Sequence, residues 1–214
     1  DAQKMTDKLG LSVFNMGIDG TNIDQYYGLL KEYLEYTKNS KFLVIAMDIH
    51  GGFMKRQALY NIHKWTHNLS NDNIKDCFST IDSQLMWKCE NVPFYNLTVY
   101  NKHNFRFVRN SMLSTDSIWN FPARGYAPNP TSKMKLVNQK EKKQKVEINK
   151  SVSKKIEDVC TLAKSKGIMP IIVITPCFVK GYDILLNADE IVSSIHKYEE
   201  IGVKVFNYSQ CEIS

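Results

Sequence analysis

The sequence predicts an α/β fold built on a parallel sheet with helices on both faces. Three observations carry this expectation. Two apolar runs, Lys41-Phe-Leu-Val-Ile-Ala-Met47 and Ile168-Met-Pro-Ile-Ile-Val-Ile-Thr175, are continuous rather than alternating, as strands covered on both sides are. Helical stripes flank the runs, and glycines close the stripes. Strand and helix signals alternate near both ends of the chain, which is the pattern of parallel strands joined by helical crossovers.

In chain order, a helical turn beginning near Asp1 stops at Gly10, and Leu11-Ser-Val-Phe-Asn15 reads as a short strand. Asn15-Met-Gly-Ile-Asp-Gly20 is a loop with two glycines. Ile23, Tyr26, Tyr27, Leu30 and Leu34 share one helical face, with Asn22 or Thr21 as N-cap. The Phe42–Met47 run ends in Asp48-Ile-His50 and Gly51-Gly52. Ile148, Val152, Ile156, Val159, Cys160 and Ala163 form a second stripe, stopped at Gly167, and Pro176 ends the strand that follows. Ile191, Val192, Ile195 and Tyr198 mark a third helix, ending near Gly202, before a last strand at Val203–Asn207.

Residues 51–147 do not alternate in this way. They are rich in aromatics and Asn, with helical spacing in Cys77, Phe78, Ile81 and Leu85 and an irregular loop at Phe121–Pro130. They read as a helical and loop insertion over one edge of the sheet. Leaving the carboxyl end of a strand, where open α/β sheets bind ligands, it is placed to wall a site.

A chain of 214 residues suits a single domain, 1–214, with a sizeable core. No apolar run approaches the ~20 residues of a membrane helix, and no signal-type segment opens the sequence. The 28 Lys and Arg exceed the 22 Asp and Glu by 6. Only four are Arg, the usual base-reading residue, and the excess gathers in Lys133–Lys155, so a solvated helix face is expected there and no nucleic-acid partner. Cys77, Cys89, Cys160, Cys177 and Cys211 are widely spaced and read as free thiols.

Three strand ends should meet at one rim: Asn15–Gly20, Asp48–Gly52 and Thr175–Cys177. The Gly17/Gly20 loop runs into a helix N-terminus, where free N–H groups hold an oxyanion, or where a tight turn needs glycine and binds nothing. Asp48 and His50 stand two apart, so the carboxylate either orients the imidazole or caps a loop. His63 and His67, at i and i+4 but without HExxH, are not expected to hold a metal. His103 and His196 stand alone, His196 as a surface residue. Four Asn-x-Ser/Thr matches, at Asn68, Asn96, Asn149 and Asn207, say little in a chain this rich in Asn.

Several segments together resemble the SGNH/GDSL-type hydrolases. Val13-Phe-Asn-Met-Gly-Ile-Asp-Gly-Thr-Asn22 is similar to their second block, and Phe42–Asp48 falls where their third stands. Ala163–Pro176 resembles their late helix–Gly–strand–Thr-Pro unit, and Ile201–Ser209 the segment before their last block. The resemblance implies a flavodoxin-like three-layer α/β/α sandwich and hydrolysis of an ester, often an acyl group on a carbohydrate. It implies Gly20 as the second-block oxyanion donor and places Asp48 and His50 where the family carries Gly-x-Asn-Asp. The family's first-block Ser and late Asp-x-x-His have no match, so the chain is expected to be part of a longer one. A strand between Leu11–Asn15 and Phe42–Met47 would then come from upstream residues or another chain. Members of this kind often follow a membrane segment, which implies a location at the cell envelope.

The functional expectation is an SGNH-type serine esterase or acyltransferase domain, not catalytically complete in this chain. Its substrate would be a small-molecule or glycan ester, with neither cofactor nor metal. The alternative is a non-catalytic binding or scaffold domain, in which Trp65, Trp87, Trp119, Tyr95 and Tyr126 form a glycan platform or pack a core. The oligomeric state is left open.

Overall fold

The computed structural model describes residues 2–18, 21–55, 59, 62, 65, 68–95, 143–177 and 179–211. The described residues within 22–59, 68–83 and 139–214 form one compact unit, and those within 1–21, 60–67 and 84–138 another.

The first of these units holds a three-stranded parallel sheet, making this an α/β protein. Strands β1 (Phe42–Met47), β2 (Met169–Ile174) and β3 (Lys204–Asn207) lie in that order. Ile45 of β1 is level with Ile172 of β2, which is level with Val205 of β3. The pleat therefore puts Ile45, Met47, Ile172, Ile174 and Val205 on one face. Helices α5 (Lys150–Ser165) and α7 (Ala188–His196) cover that face. Their Val152, Ile156, Cys160, Ile191 and Ile195 form one core with Ile172 and Ile174, joined by Tyr198 from the 3₁₀ turn Lys197–Ile201. Strands advancing in a single direction through crossovers of the same hand receive their helices on one side, and both crossover helices here pack on the same face.

Helices on both faces were the expectation, and among the described residues only one face has them. On the other, Phe42 is 48% exposed, Val44 51%, Met169 39% and Phe206 45%. The continuous apolar runs of β1 and β2 identify strands that can be covered twice without showing what covers the second side.

The local sequence explains the element ends. Helix α2 (Ile23–Tyr36) starts at Asn22, whose side chain accepts the Gln25 N–H at 3.0 Å while the Gln25 side chain accepts the Asn22 N–H at 3.1 Å. This reciprocal box satisfies two otherwise orphaned donors. Asn149 caps α5 through the N–H groups of Ser151 and Val152. Gly10 closes helix α1 (Ala2–Leu9) with φ +64°, and Gly167 and Gly202 take the same left-handed turn after α5 and the 3₁₀ turn.

Two local expectations are corrected. Leu11–Asn15 is not a strand: the Val13 N–H donates to the Thr6 hydroxyl, and Leu11 and Phe14 are exposed. The spacing of Cys77, Phe78, Ile81 and Leu85 belongs to two helices, α3 (Asp72–Ser79) and α4 (Ser83–Asn91). The break comes where the N–H groups of Ile81 and Asp82 both turn back to the Phe78 carbonyl. The Phe121–Pro130 loop lies outside the described residues. Trp65 is fully buried and Trp87 is 60% exposed, so these two do not share an environment, while Trp119 and Tyr126 lie outside the described residues.

Helix α2 joins α3 and α5 in the sheet-bearing unit. On α5, the Lys155 ammonium sits 4.6 Å from the Tyr27 ring centroid and 4.0 Å from the Asp24 carboxylate. Against α3, Gly28 makes the approach possible, since a Cβ there would lie 2.9 Å from the Asn73 carbonyl oxygen and 3.1 Å from the Cys77 Cβ. Backbone cannot yield to such a contact, so Gly28→Ala is expected to destabilise the protein by about 1–3 kcal/mol. The midpoint of urea unfolding reads this, and an unchanged midpoint would mean that α3 moves freely.

Candidate functional site

The carboxyl ends of the three strands form a rim of the kind where open α/β sheets hold ligands. At the end of β1 the chain turns through Asp48–Phe53. Ile49 and Phe53 are buried, pinning the loop from below, while Asp48 is exposed and His50 half-buried. The Asp48 Oδ1 accepts the N–H of His50 at 2.8 Å and of Gly51 at 2.5 Å. The Gly52 N–H closes the turn on the Asp48 carbonyl at 3.0 Å. A Cβ on Gly52 would stand 2.6 Å from that same oxygen, which is why glycine occupies the position.

Asp48 and His50 are thus brought together, but the carboxylate serves main-chain amides of its own turn. Such Asx turns are the local competitor of any longer-range role for an aspartate. Asp48→Ala removes the acceptor of two N–H groups and is expected to cost about 1–2 kcal/mol, with Asp48→Asn recovering most of it. Chemical denaturation of the three proteins checks this, and equal midpoints would show that Ile49 and Phe53 hold the loop unaided.

The other two strand ends are tied to their neighbours. The Thr175 N–H donates to the Met47 carbonyl at 2.8 Å, and its hydroxyl donates to the same oxygen at 3.2 Å. The Tyr208 N–H reaches the Ile174 carbonyl. Cys177 donates both its N–H, at 3.4 Å, and its thiol, at 3.0 Å, to the Ser209 carbonyl. Ser209 is buried, and its N–H and hydroxyl both donate to the Asn207 Oδ1, at 2.9 and 2.7 Å. The Asn207-Tyr-Ser209 triplet, which the sequence offers as a glycosylation match, is here a turn that ends the sheet.

Burial pushes the Cys177 thiol up, opposed by N–H groups of Cys177 and Tyr182 that face the sulfur. At neutral pH it is a protonated donor rather than a thiolate. The two nucleophile types at this rim therefore donate to an amide oxygen and a carbonyl, neither of which is a base.

Beyond Cys177, helix α6 (Val179–Ile184) and the start of α7 border a cavity of about 360 Å³ lined by Tyr182, Asp183, Leu186, Asn187, Asp189 and Glu190. Burial and the hydrogen bond to Asp189 hold the Tyr182 phenol above its usual range, and that hydroxyl donates to the Asp189 carboxylate at 2.5 Å. Asn187 is buried, accepting the Val146 N–H at 3.0 Å and donating to the Val146 carbonyl at 2.8 Å. The sequence reading missed this cavity, whose only local signal is the polar Asn187-Ala-Asp-Glu190 start of α7.

Gly20 lies outside the described residues, as do His63, His67 and His103. His196 sits at the surface, its Nδ1 3.2 Å from Glu199. Among the described residues, no three His, Cys, Asp or Glu side chains converge as metal ligands. No helix among them is long and apolar enough to cross a membrane. No family model, curated protein or solved structure matches the chain.

Proposed function

We propose that this chain is a divergent SGNH/GDSL-type domain, in a three-layer flavodoxin-like setting, that handles an acyl ester carried by a carbohydrate or a small molecule. Its chemistry would be that of a serine esterase or acyltransferase, not catalytically complete in this chain. The supporting observation is the Asp48–Gly52 loop at the carboxyl end of β1, beside the end of β2. In this reading His50 is the proton carrier at the rim. The attacking hydroxyl is not Ser209, whose proton is committed to Asn207.

Hydrolysis of p-nitrophenyl acetate and of acetylated oligosaccharides tests the proposal. A rate in the whole protein that falls at least ~100-fold in its His50→Ala variant supports it, general-base removal being of that size. Equal rates in the two proteins end it.

A second reading is favoured by the hydrogen bonding of the rim. Asp48, Ser209 and Cys177 are all engaged by main chain or amide, which suits a domain that binds a glycan ester without turning it over. Retention of acetylated oligosaccharides on a glycan array, with no hydrolysis, selects this reading. Neither binding nor hydrolysis removes both.

A further inference from the structure

At the start of helix α2 most N–H groups are accounted for. The Gln25 N–H goes to the Asn22 side chain, the Tyr26 N–H to the Asn22 carbonyl at 3.2 Å, and the Asp24 N–H faces its own carboxylate. Among the described residues nothing accepts the Ile23 N–H, one of the donors that a helix start leaves over. The Gln25 carboxamide stands at the same end. Its Oε1 accepts the Asn22 N–H at 3.1 Å, which fixes the amide's orientation, since the reversed one would set N–H2 against N–H. With Oε1 held against Asn22, Nε2 lies over the first turn, and it is buried without a hydrogen-bond partner in a side chain 1% exposed. An unpartnered buried donor is costly, and folded proteins satisfy nearly all of them. The helix end lies just beneath the surface, with Asn22 buried and Ile23 and Asp24 half-buried. The Lys155 ammonium is 4.0 Å from the Asp24 carboxylate, and burial raises that carboxyl while Lys155 and Lys55 both lower it. Two cations thus face one anion, beside the partial positive charge of the helix start.

We propose that the N-terminus of α2 binds a small oxyanion, a carboxylate or phosphate group, through the Gln25 Nε2 and the Ile23 N–H. The ligand's oxygens accept from both groups, so the two leftover donors are satisfied together, and helix starts favour anions at that position. Lys155 and Lys55 offset the Asp24 carboxylate, the one charge near the site that opposes an anion. The capping box survives binding, because it uses Oε1 of Gln25 and leaves Nε2 for the ligand. The site does not rest on the enzymatic reading, since none of its residues belongs to the Asp48–Gly52 loop.

The test titrates the whole protein, labelled with nitrogen-15, with sodium acetate and with inorganic phosphate, against sodium chloride at matched ionic strength and pH. The Gln25 side-chain N–H2 and the Ile23 amide are expected to shift saturably with acetate or with phosphate, and the anion that acts identifies the ligand class. Gln25→Glu keeps an acceptor for the Asn22 N–H, as capping boxes do, and removes the donor. Its affinity, read at the Ile23 amide, should fall at least about 10-fold. Gln25→Met removes the donor without adding a buried charge and should show the same loss, also as a melting temperature that no longer rises with the anion. Signals of Gln25 and Ile23 that stay still, or move equally with chloride, overturn the proposal. Wild-type affinity in either variant overturns it as well.

Discussion

Raising the pH from 8 to 12 is expected to remove several kcal/mol of stability from the sheet-bearing unit, with the loss beginning near pH 9. Burial pushes the Cys160 thiol up to about 11 from an ordinary 9.0. Burial also pushes the Tyr198 phenol up to about 12 from 10.0, against the lowering effect of its bond with Ser153. Both groups are neutral in the fold and ionise more readily in the unfolded chain. Between the ordinary and raised values the unfolded state binds fewer protons, so stability falls as pH rises. The contribution is complete below about pH 9 and is lost through pH 11 for the thiol and pH 12 for the phenol.

At 1.36 kcal/mol per unit, each group alone is worth about 3 kcal/mol over its window. The two are neighbours in one core, so the sum is not additive. Urea unfolding at intervals between pH 8 and 12 reads the effect as a falling midpoint. Cys160→Ala should flatten the lower part of the curve and Tyr198→Phe the upper part. A wild-type midpoint constant to pH 12 would mean that water reaches both groups.

Ile172→Ala is expected to cost about 3–5 kcal/mol, near the top of the range for a buried aliphatic truncation. Ile172 has no exposed surface and sits in the central strand, between Ile45 and Val205 on its own face and beneath the core side chains of α5 and α7. Strands on both sides hold the backbone in place, so the cavity cannot collapse. Val44→Ala, on the opposite face of the same sheet and half exposed, should cost under about 1 kcal/mol. Similar losses for the two variants would contradict the assignment of faces.

Much of the architecture was legible in the sequence because its signals are local. The apolar runs at Phe42–Met47 and Ile171–Ile174, the Asn22 cap of α2 and the Gly167 and Gly202 stops correspond to β1, β2, a capping box and two left-handed turns. Leu11–Asn15 failed because five residues of mixed polarity make a strand only if a partner strand pairs with them, and pairing is not local. The α3–α4 break was hidden because helical spacing survives a three-residue interruption, while the Phe78 carbonyl that causes the break carries no sequence signature.

Of the three strand ends expected at the rim, Asp48–Gly52 and Thr175–Cys177 do follow β1 and β2, whereas Asn15 follows no strand. Asp48 and His50 were found by their place after an apolar run, but spacing does not distinguish a carboxylate aimed at an imidazole from one aimed at the amide of the same residue. The Asn207–Ser209 turn was visible as a triplet and misleading as one. Its role follows from Ser209 being buried beside Cys177, a fact of tertiary structure.

Among the described residues β1 is an edge strand of the sheet, and its six apolar residues border backbone donors and acceptors that another extended chain could join. The strand is bracketed by Lys41 and Asp48, one cation and one anion at its two ends. Stacking copies of this segment in register would set like charges above one another at both ends. Lys41 and Asp48 thus flank the segment as charges of the kind that oppose in-register stacking of an apolar strand.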